Sequence, residues 1–210
     1  MLTLCWAAKG GSGTTVVVAS LALATQEPVL LIDLAGDLPA ALGVPEPESP
    51  GVFDWLPSNA AASRLAGLEI GVHPNVSLIP MGRPTIREHD ADRWHALAEY
   101  LRQENRRVII DAGSGRPPAA LHDVADHNWL VTRACYLSLR AAVKQQCRPT
   151  GIVFVEERGR SMRVADVEAS IGAPVVATVL LDPAIARAVD AGLLISHLPT
   201  AFARQLRKAA

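Results

Sequence analysis

The 210-residue sequence predicts an α/β protein built on a mostly parallel, doubly wound sheet of about seven strands with helices on both faces. Three observations carry that expectation. Short β-branched or leucine-rich runs recur along the chain: LTLCWA, PVLLID, NVSLIP, RRVIID, HNWLVTR, TGIVFVE and PVVATVLL. Their apolar character is continuous rather than alternating, as in strands covered on both sides. Segments of helical length separate most of them, the pattern of parallel strands joined by crossover helices.

In chain order, LTLCWA leads through a glycine-rich turn into a helix over residues 14–25, and PVLLID follows. The segment from Gly36 to Pro84 is irregular and holds many of the 15 prolines. It reads as an insertion of surface loops and short helices, FDWL and ASRLAGL among them, too hydrophobic for a disordered linker. Helices are expected over 90–104, 117–125, 137–147, 162–171 and 183–191, with a last one near 199–208. Half of the residues are hydrophobic and the mean hydropathy is +0.21, so residues 1–210 can bury one substantial core as a single domain.

Composition removes several function classes. The formal net charge is −1 and the pI about 6.6, so nothing indicates bulk attraction to DNA or to an acidic membrane. Aromatic residues make up 4% of the chain, too few for a base-stacking surface. Cys5, Cys135 and Cys147 show no CxxC spacing, and His73, His89, His95, His122, His127 and His197 show no ligand spacing on a common element. No apolar run approaches the roughly 20 residues that span a bilayer. A soluble, cytoplasmic protein is expected.

The chemistry concentrates in AAKGGSGTT, residues 7–15. A phosphate-binding loop reads GxxxxGK(S/T); aligned on Gly13, Ala8 takes the first glycine's place, Thr14 the lysine's, and Thr15 that of the hydroxyl that ligands Mg²⁺. Gly10, Gly11 and Gly13 let main-chain amides turn inward around Ser12, and the helix starting near Thr14 adds its positive end, so phosphates are held largely by backbone. Loss of the loop lysine removes one charge-assisted contact, worth about 1.5–3 kcal/mol. Two other readings of the stretch stand beside this one. Lys9 followed by VVVASLALA imitates a secretory signal, and a glycine turn can simply pack a helix on a strand.

In an open parallel sheet ligands bind beyond the carboxyl ends of the strands. Asp33 closes VLLID and Asp111 closes RVIID, both toward the edge that carries the glycine loop. A carboxylate there suits a phosphate-bound Mg²⁺; each aspartate can equally cap the following turn or helix. The short basic amphipathic tail, with Arg204, Arg207 and Lys208 beside Leu198, Phe202 and Leu206, is of the kind that touches membranes, though it is short.

KGGSGTT, VLLIDLAGDLPAALGV, RVIIDAGSG and GAPVVATVLLDPAIARAVDAGLL together resemble the deviant-Walker P-loop ATPases of the ParA/MinD superfamily, over nearly the whole chain. Gly36-Asp37-Leu38 and Leu42-Gly43 are most similar to the branch that includes the pilus-assembly proteins TadZ and CpaE. The resemblance implies ATP or ADP with Mg²⁺ in a homodimer whose Lys9 reaches the partner's phosphates. It implies that Gly10, Gly11, Ser12, Gly13, Thr14 and Thr15 hold phosphate, that Thr15 and Asp111 serve the metal, and that Asp33 lies near the attacking water. Asp182 and Pro183 fall where the adenine pocket is often lined, although a plain turn with proline at a helix start explains them equally well.

Departures from the pattern point to slow or absent hydrolysis. Ala35 stands where partitioning ATPases carry a second acid, and FVEERGR offers Glu156 and Glu157 where an asparagine for adenine is usual. The function implied is a nucleotide-dependent positioning protein for pilus or secretion machinery, recruited to a pole or the inner membrane surface. The alternatives are an active ATPase for DNA segregation or division-site placement, and a scaffold that no longer uses nucleotide.

Overall fold

The computed structural model of the chain describes residues 1–83 and 90–207. Pro84, His89 and Lys208 lie outside the described residues. The strands are β1 (Leu2–Ala7), β2 (Val29–Asp33), β3 (Ile70–His73), β4 (Val76–Ile79), β5 (Arg107–Ser114), β6 (His127–Arg133), β7 (Gly151–Glu156) and β8 (Val175–Leu180). They form one sheet in the order β3-β4-β2-β5-β1-β6-β7-β8. Every pairing is parallel except β3 with β4.

The helices are α1 (Thr14–Ala24), α2 (Leu38–Leu42), α3 (Val52–Trp55), α4 (Ala91–Arg102), α5 (Ala119–Val124), α6 (Tyr136–Lys144), α7 (Val164–Ile171), α8 (Pro183–Asp190) and α9 (Thr200–Arg207). Successive residues of a strand point to opposite faces. In β2, Leu31 joins a core with Val17 and Leu21 of α1, Leu38 of α2, Ile185 of α8 and Phe202 of α9, while Leu30 and Ile32 join Val52 of α3, Leu97 of α4 and Leu121 of α5 on the other side. Both alternating sets are therefore apolar, which makes the run continuous.

The sheet has one strand more than expected. Ile70–His73 lies inside the segment read as loops and pairs antiparallel with β4 as a four-residue edge strand, its residues alternating between half-buried and exposed. The pairing covers one face and one edge only, so the run EIGVH never becomes strongly apolar.

Two other segments run against local propensity. Helix α1 carries three consecutive valines, β-formers by intrinsic preference, yet its central residues Val17, Val18, Ala19, Leu21 and Ala22 are buried between the sheet and α9. Burial on all sides outweighs the few tenths of a kcal/mol that β-branching costs each helical residue. In α9, Phe202, Ala203 and Leu206 are buried against α1 and β8. The apolar face of the basic tail is thus spent on the core rather than left free for a membrane.

Candidate functional site

β1 ends at Ala7 in the middle of the sheet, with β5 on one side and β6 on the other. The chain then turns through residues 8–13, where Gly11 has φ +78° and Gly13 φ +90°. A Cβ added at either would meet no protein atom within 4 Å, so both face open space as well as adopting a backbone that L-residues resist. Ser12 ties the turn together by donating its hydroxyl to the Lys9 carbonyl at 2.8 Å.

The turn delivers the chain into α1, whose N-cap is Gly13. No side chain caps this end and its first turn holds no acidic residue. The amides that an α-helix leaves without intrahelical partners therefore open, with the positive end of the dipole, onto whatever lies ahead. What lies ahead is a polar cavity of about 450 Å³ bounded by the loop from Lys9 to Thr15, by Ala35 and Asp37, and by Gly113 and Ser114.

Beneath this cavity the two strand-end carboxylates are in register, Asp33 of β2 opposite Asp111 of β5, and both are fully buried. Their hydrogen bonding differs. Asp33 accepts from the amides of Ala35 at 2.9 Å, Gly36 at 2.7 Å and Leu38 at 3.1 Å, using both oxygens to close the corner between β2 and α2. Burial raises its pKa, and the three amides oppose that shift.

Asp111 accepts only from the Gly113 amide, at 2.9 Å through Oδ1. Its Oδ2 is buried with no hydrogen-bond partner. The Thr15 hydroxyl stands near enough to favour the anion, yet outside the geometry that would satisfy this oxygen. Burial dominates and pushes the carboxyl up to about 6, with Asp33 and Asp37 adding repulsion. A buried anionic oxygen without a donor, beside a threonine hydroxyl and an open cradle of amides, is a setting a hard cation completes.

On the other side of Gly11–Gly13 lies a second, apolar cavity of about 280 Å³ between α1, the ends of β7 and β8, and α8. Val16, Val179, Ile185 and Phe202 give it its character. Asp182 lines it and also caps α8, accepting from the Ala184 amide at 2.8 Å, with Pro183 at the first helical position. Both sequence readings of Asp182 thus hold together; Pro183 serves the helix start.

Of the predicted site residues, the structure brings Lys9, Gly10, Gly11, Ser12, Gly13, Thr14 and Thr15 around the polar cavity. It puts Asp111 under that cavity, and Asp182 on the apolar one. Lys9 is exposed, and its charge reaches Cys135 at the start of α6, whose thiol is held below the usual range chiefly by the amides of Ser138 and Leu137. Thr14, at the place of the usual lysine, is buried.

Sequence reasoning missed Arg133. It ends β6, lines the apolar cavity, donates to the Gly11 carbonyl at 3.5 Å and pairs with Glu157 at 3.2 Å. Its place at the carboxyl edge of a strand neighbouring β1 was the available signal. Among the described residues no group of three histidine, cysteine or acidic side chains could hold a metal alone, and no helix is long and apolar enough to cross a membrane.

With this geometry in hand, the likeness to solved structures is informative. The ParA family ATPase of Chlorobium tepidum matches with a TM-score of 0.76 at 20% identity, covering 97% of this chain and 95% of that one. MinD of Pyrococcus horikoshii, complexed with Mg-ADP, matches with a TM-score of 0.75 at 18% identity over 100% and 94%. A chain of the MinC:MinD cell division complex of Aquifex aeolicus matches with a TM-score of 0.77 at 16% identity over 99% and 93%. The fold is that of the ParA and MinD ATPases. No protein-family model matches the sequence, and no curated protein sequence does.

Proposed function

We propose that this chain is an ATP-binding protein of the ParA/MinD kind that dimerises on nucleotide, positions pilus or secretion machinery, and hydrolyses ATP slowly or not at all. One observation carries the reading: the uncapped start of α1 and the positive-φ glycines open onto a polar cavity beside a buried carboxylate oxygen that lacks a donor. The solved MinD with Mg-ADP and the MinC:MinD complex support nucleotide, metal and a protein partner by analogy.

In this reading the amides of Gly10–Thr15 hold the triphosphate, with Mg²⁺ between the Thr15 hydroxyl and Asp111. The metal would neutralise phosphate charge. The base lies in the apolar cavity across Gly11–Gly13, near Arg133 and Asp182. Lys9, exposed at the rim, is placed to reach a second copy's phosphates, and Asp33 supports the corner on which an attacking water would sit.

Weak turnover follows from three residues: Thr14 supplies no charge where a lysine would, Ala35 supplies no second carboxylate, and both Asp33 oxygens are already engaged. The pilus or secretion role rests on Gly36-Asp37-Leu38 and Leu42-Gly43, and the expected setting is cytoplasmic, with recruitment to a pole or the inner membrane surface. Isothermal titration with ATP and Mg²⁺ is expected to give saturable heat, and none from folded protein at high micromolar concentration would overturn the assignment. Steady turnover stimulated by DNA or lipid, and lost in Lys9→Ala, would instead favour an active segregation or division-site ATPase.

A further inference from the structure

A groove far from the base pocket has no role in this reading. It runs between α6 and α7 as two cavities of about 350 and 550 Å³ that share Val143 and Ser170. A third, of about 290 Å³, continues it and shares Gln146, Cys147 and Arg148. Tyr136 at its rim is 69% exposed and Val143 55%, large apolar side chains that the fold leaves to solvent.

The charge around this apolar strip has one sign. Arg140, Lys144 and Arg148 line the two larger cavities with no carboxylate among the lining residues, and none of the three forms an ion pair among the described residues. In a chain of net charge −1 this is a local excess.

The floor of the groove is the back of the phosphate loop. Ala142 packs with Trp6 and Leu130, and Ala8 and Cys147 pack against that cluster. Gln145, the residue after α6, donates its side-chain amide to the Ala8 carbonyl at 3.3 Å. Gln146 follows with φ 52°, the one non-glycine at positive φ among the described residues. A non-glycine residue held there marks a backbone that its surroundings over-determine.

We propose that this groove docks an acidic amphipathic segment of a partner protein, and that its occupancy stiffens the phosphate loop through Gln145. Concave apolar pockets accept inserted side chains, and the flanking cations meet carboxylates on the same segment. An anionic membrane fits less well, since the apolar atoms lie at the bottom of a groove where acyl chains do not reach. A second copy fits less well too: the terminal helix α9 has its apolar face buried and carries no carboxylate. Any consequence for ATP rests on the proposed function; the docking and the stiffening do not.

The probes are fluorescein-labelled helical peptides of about 15 residues with leucines at i, i+3 and i+7, flanked by glutamates in one and by lysines in the other. The glutamate peptide is expected to bind saturably to the nucleotide-free protein, the lysine peptide not. Arg140→Glu with Lys144→Glu should weaken binding about tenfold or more, as should Val143→Asp, all at exposed positions where thermal unfolding checks the fold. Hydrogen exchange at residues 10–13 should slow when the glutamate peptide binds. Gln145→Ala should keep the affinity and lose the slowing.

Equal binding of both peptides, or affinity indifferent to the charge reversal, overturns the docking site. Exchange that does not change on binding overturns the coupling. Flotation with phosphatidylglycerol vesicles, or self-association without nucleotide, that the charge reversal abolishes would assign the groove to lipid or to a second copy and also overturn the proposal. Neither readout uses ATP, so the failure of nucleotide binding would be seen separately in the titration above.

Discussion

Asp33 and Asp111 end neighbouring strands in register, equally buried, after nearly identical apolar runs, and their corners do different work. At the β2 corner the chain continues Leu-Ala-Gly-Asp-Leu, and the amides of Ala35, Gly36 and Leu38 fold back onto the carboxylate. At the β5 corner it continues Ala-Gly-Ser-Gly and only Gly113 returns. One corner consumes its charge in building the fold; the other keeps an oxygen in reserve. A strand-end aspartate is thus assigned by the turn that follows it, not by the strand it closes.

The sharpest way to break this contrast is to remove each carboxylate and compare the losses. Asp33→Ala strips three amides of their acceptor at once, and each buried donor left alone costs about 1–3 kcal/mol. Partial access of water to the corner moderates the sum, so a loss of about 3–5 kcal/mol is expected in urea unfolding. Asp33→Asn, which keeps an acceptor oxygen, should lose less. A change below about 1 kcal/mol for the alanine variant would show that the corner does not depend on this side chain.

This asymmetry also marks how far the sequence could be read. The parallel sheet, the helix after the glycine loop and the position of Thr15 relative to Asp111 were legible, because continuous apolar runs and a glycine turn with one geometric use leave few arrangements. The two roles of the aspartates were not, since VLLID and RVIID look alike until the returning amides are counted. β3 stayed hidden because an edge strand of four residues buries too little to show a pattern. Arg133 and Gln145 reach the loop from more than 120 residues away, contacts that local periodicity cannot report.

The next effect belongs to Asp111 and depends on pH. Its carboxyl is raised to about 6 in the folded protein against 3.8 for the free group. The folded state therefore holds its proton more tightly than the unfolded chain does, and stability falls as pH rises from about 4 through 6. The loss is at most about 3 kcal/mol, since one pKa unit is 1.36 kcal/mol. Asp33, also raised, adds to it in the same direction. Asp111→Asn should flatten most of this slope and leave the protein at pH 7.5 at least as stable as the parent, opposite to Asp33→Ala. Denaturation curves at pH 4.5, 6 and 7.5 check this, and an unchanged slope in the variant would remove Asp111 as its source. Mg²⁺ competes with the same proton, so the Mg²⁺-dependent part of ATP affinity should weaken below about pH 6 and vanish in the variant.

Gly113 sits between the corners and should respond by a smaller amount. Its φ is +63°, and a Cβ there would stand 3.1 Å from the Ala35 Cβ. Left-handed backbone costs a non-glycine residue about 1–2 kcal/mol, so Gly113→Ala should destabilise by about that much. Because its amide is the one that Asp111 accepts, the shift should also disturb the metal-dependent part of binding. Loss of stability without any change in Mg²⁺ response would separate the turn from the site.

The smallest expected change in stability is at the residue with the largest proposed role. Lys9 is exposed and no hydrogen bond or ion pair of its side chain appears among the described residues, so Lys9→Ala should alter unfolding by no more than about 0.5 kcal/mol. Its charge is placed for phosphates that are not its own. Sedimentation velocity with ATP and Mg²⁺ should show the parent moving to a dimer and Lys9→Ala staying a monomer, while titration shows nucleotide still entering the cradle of amides. A variant that dimerises like the parent would leave the exposed lysine without a task, and one that fails to bind nucleotide would mean that Lys9 acts within its own subunit rather than across to the other.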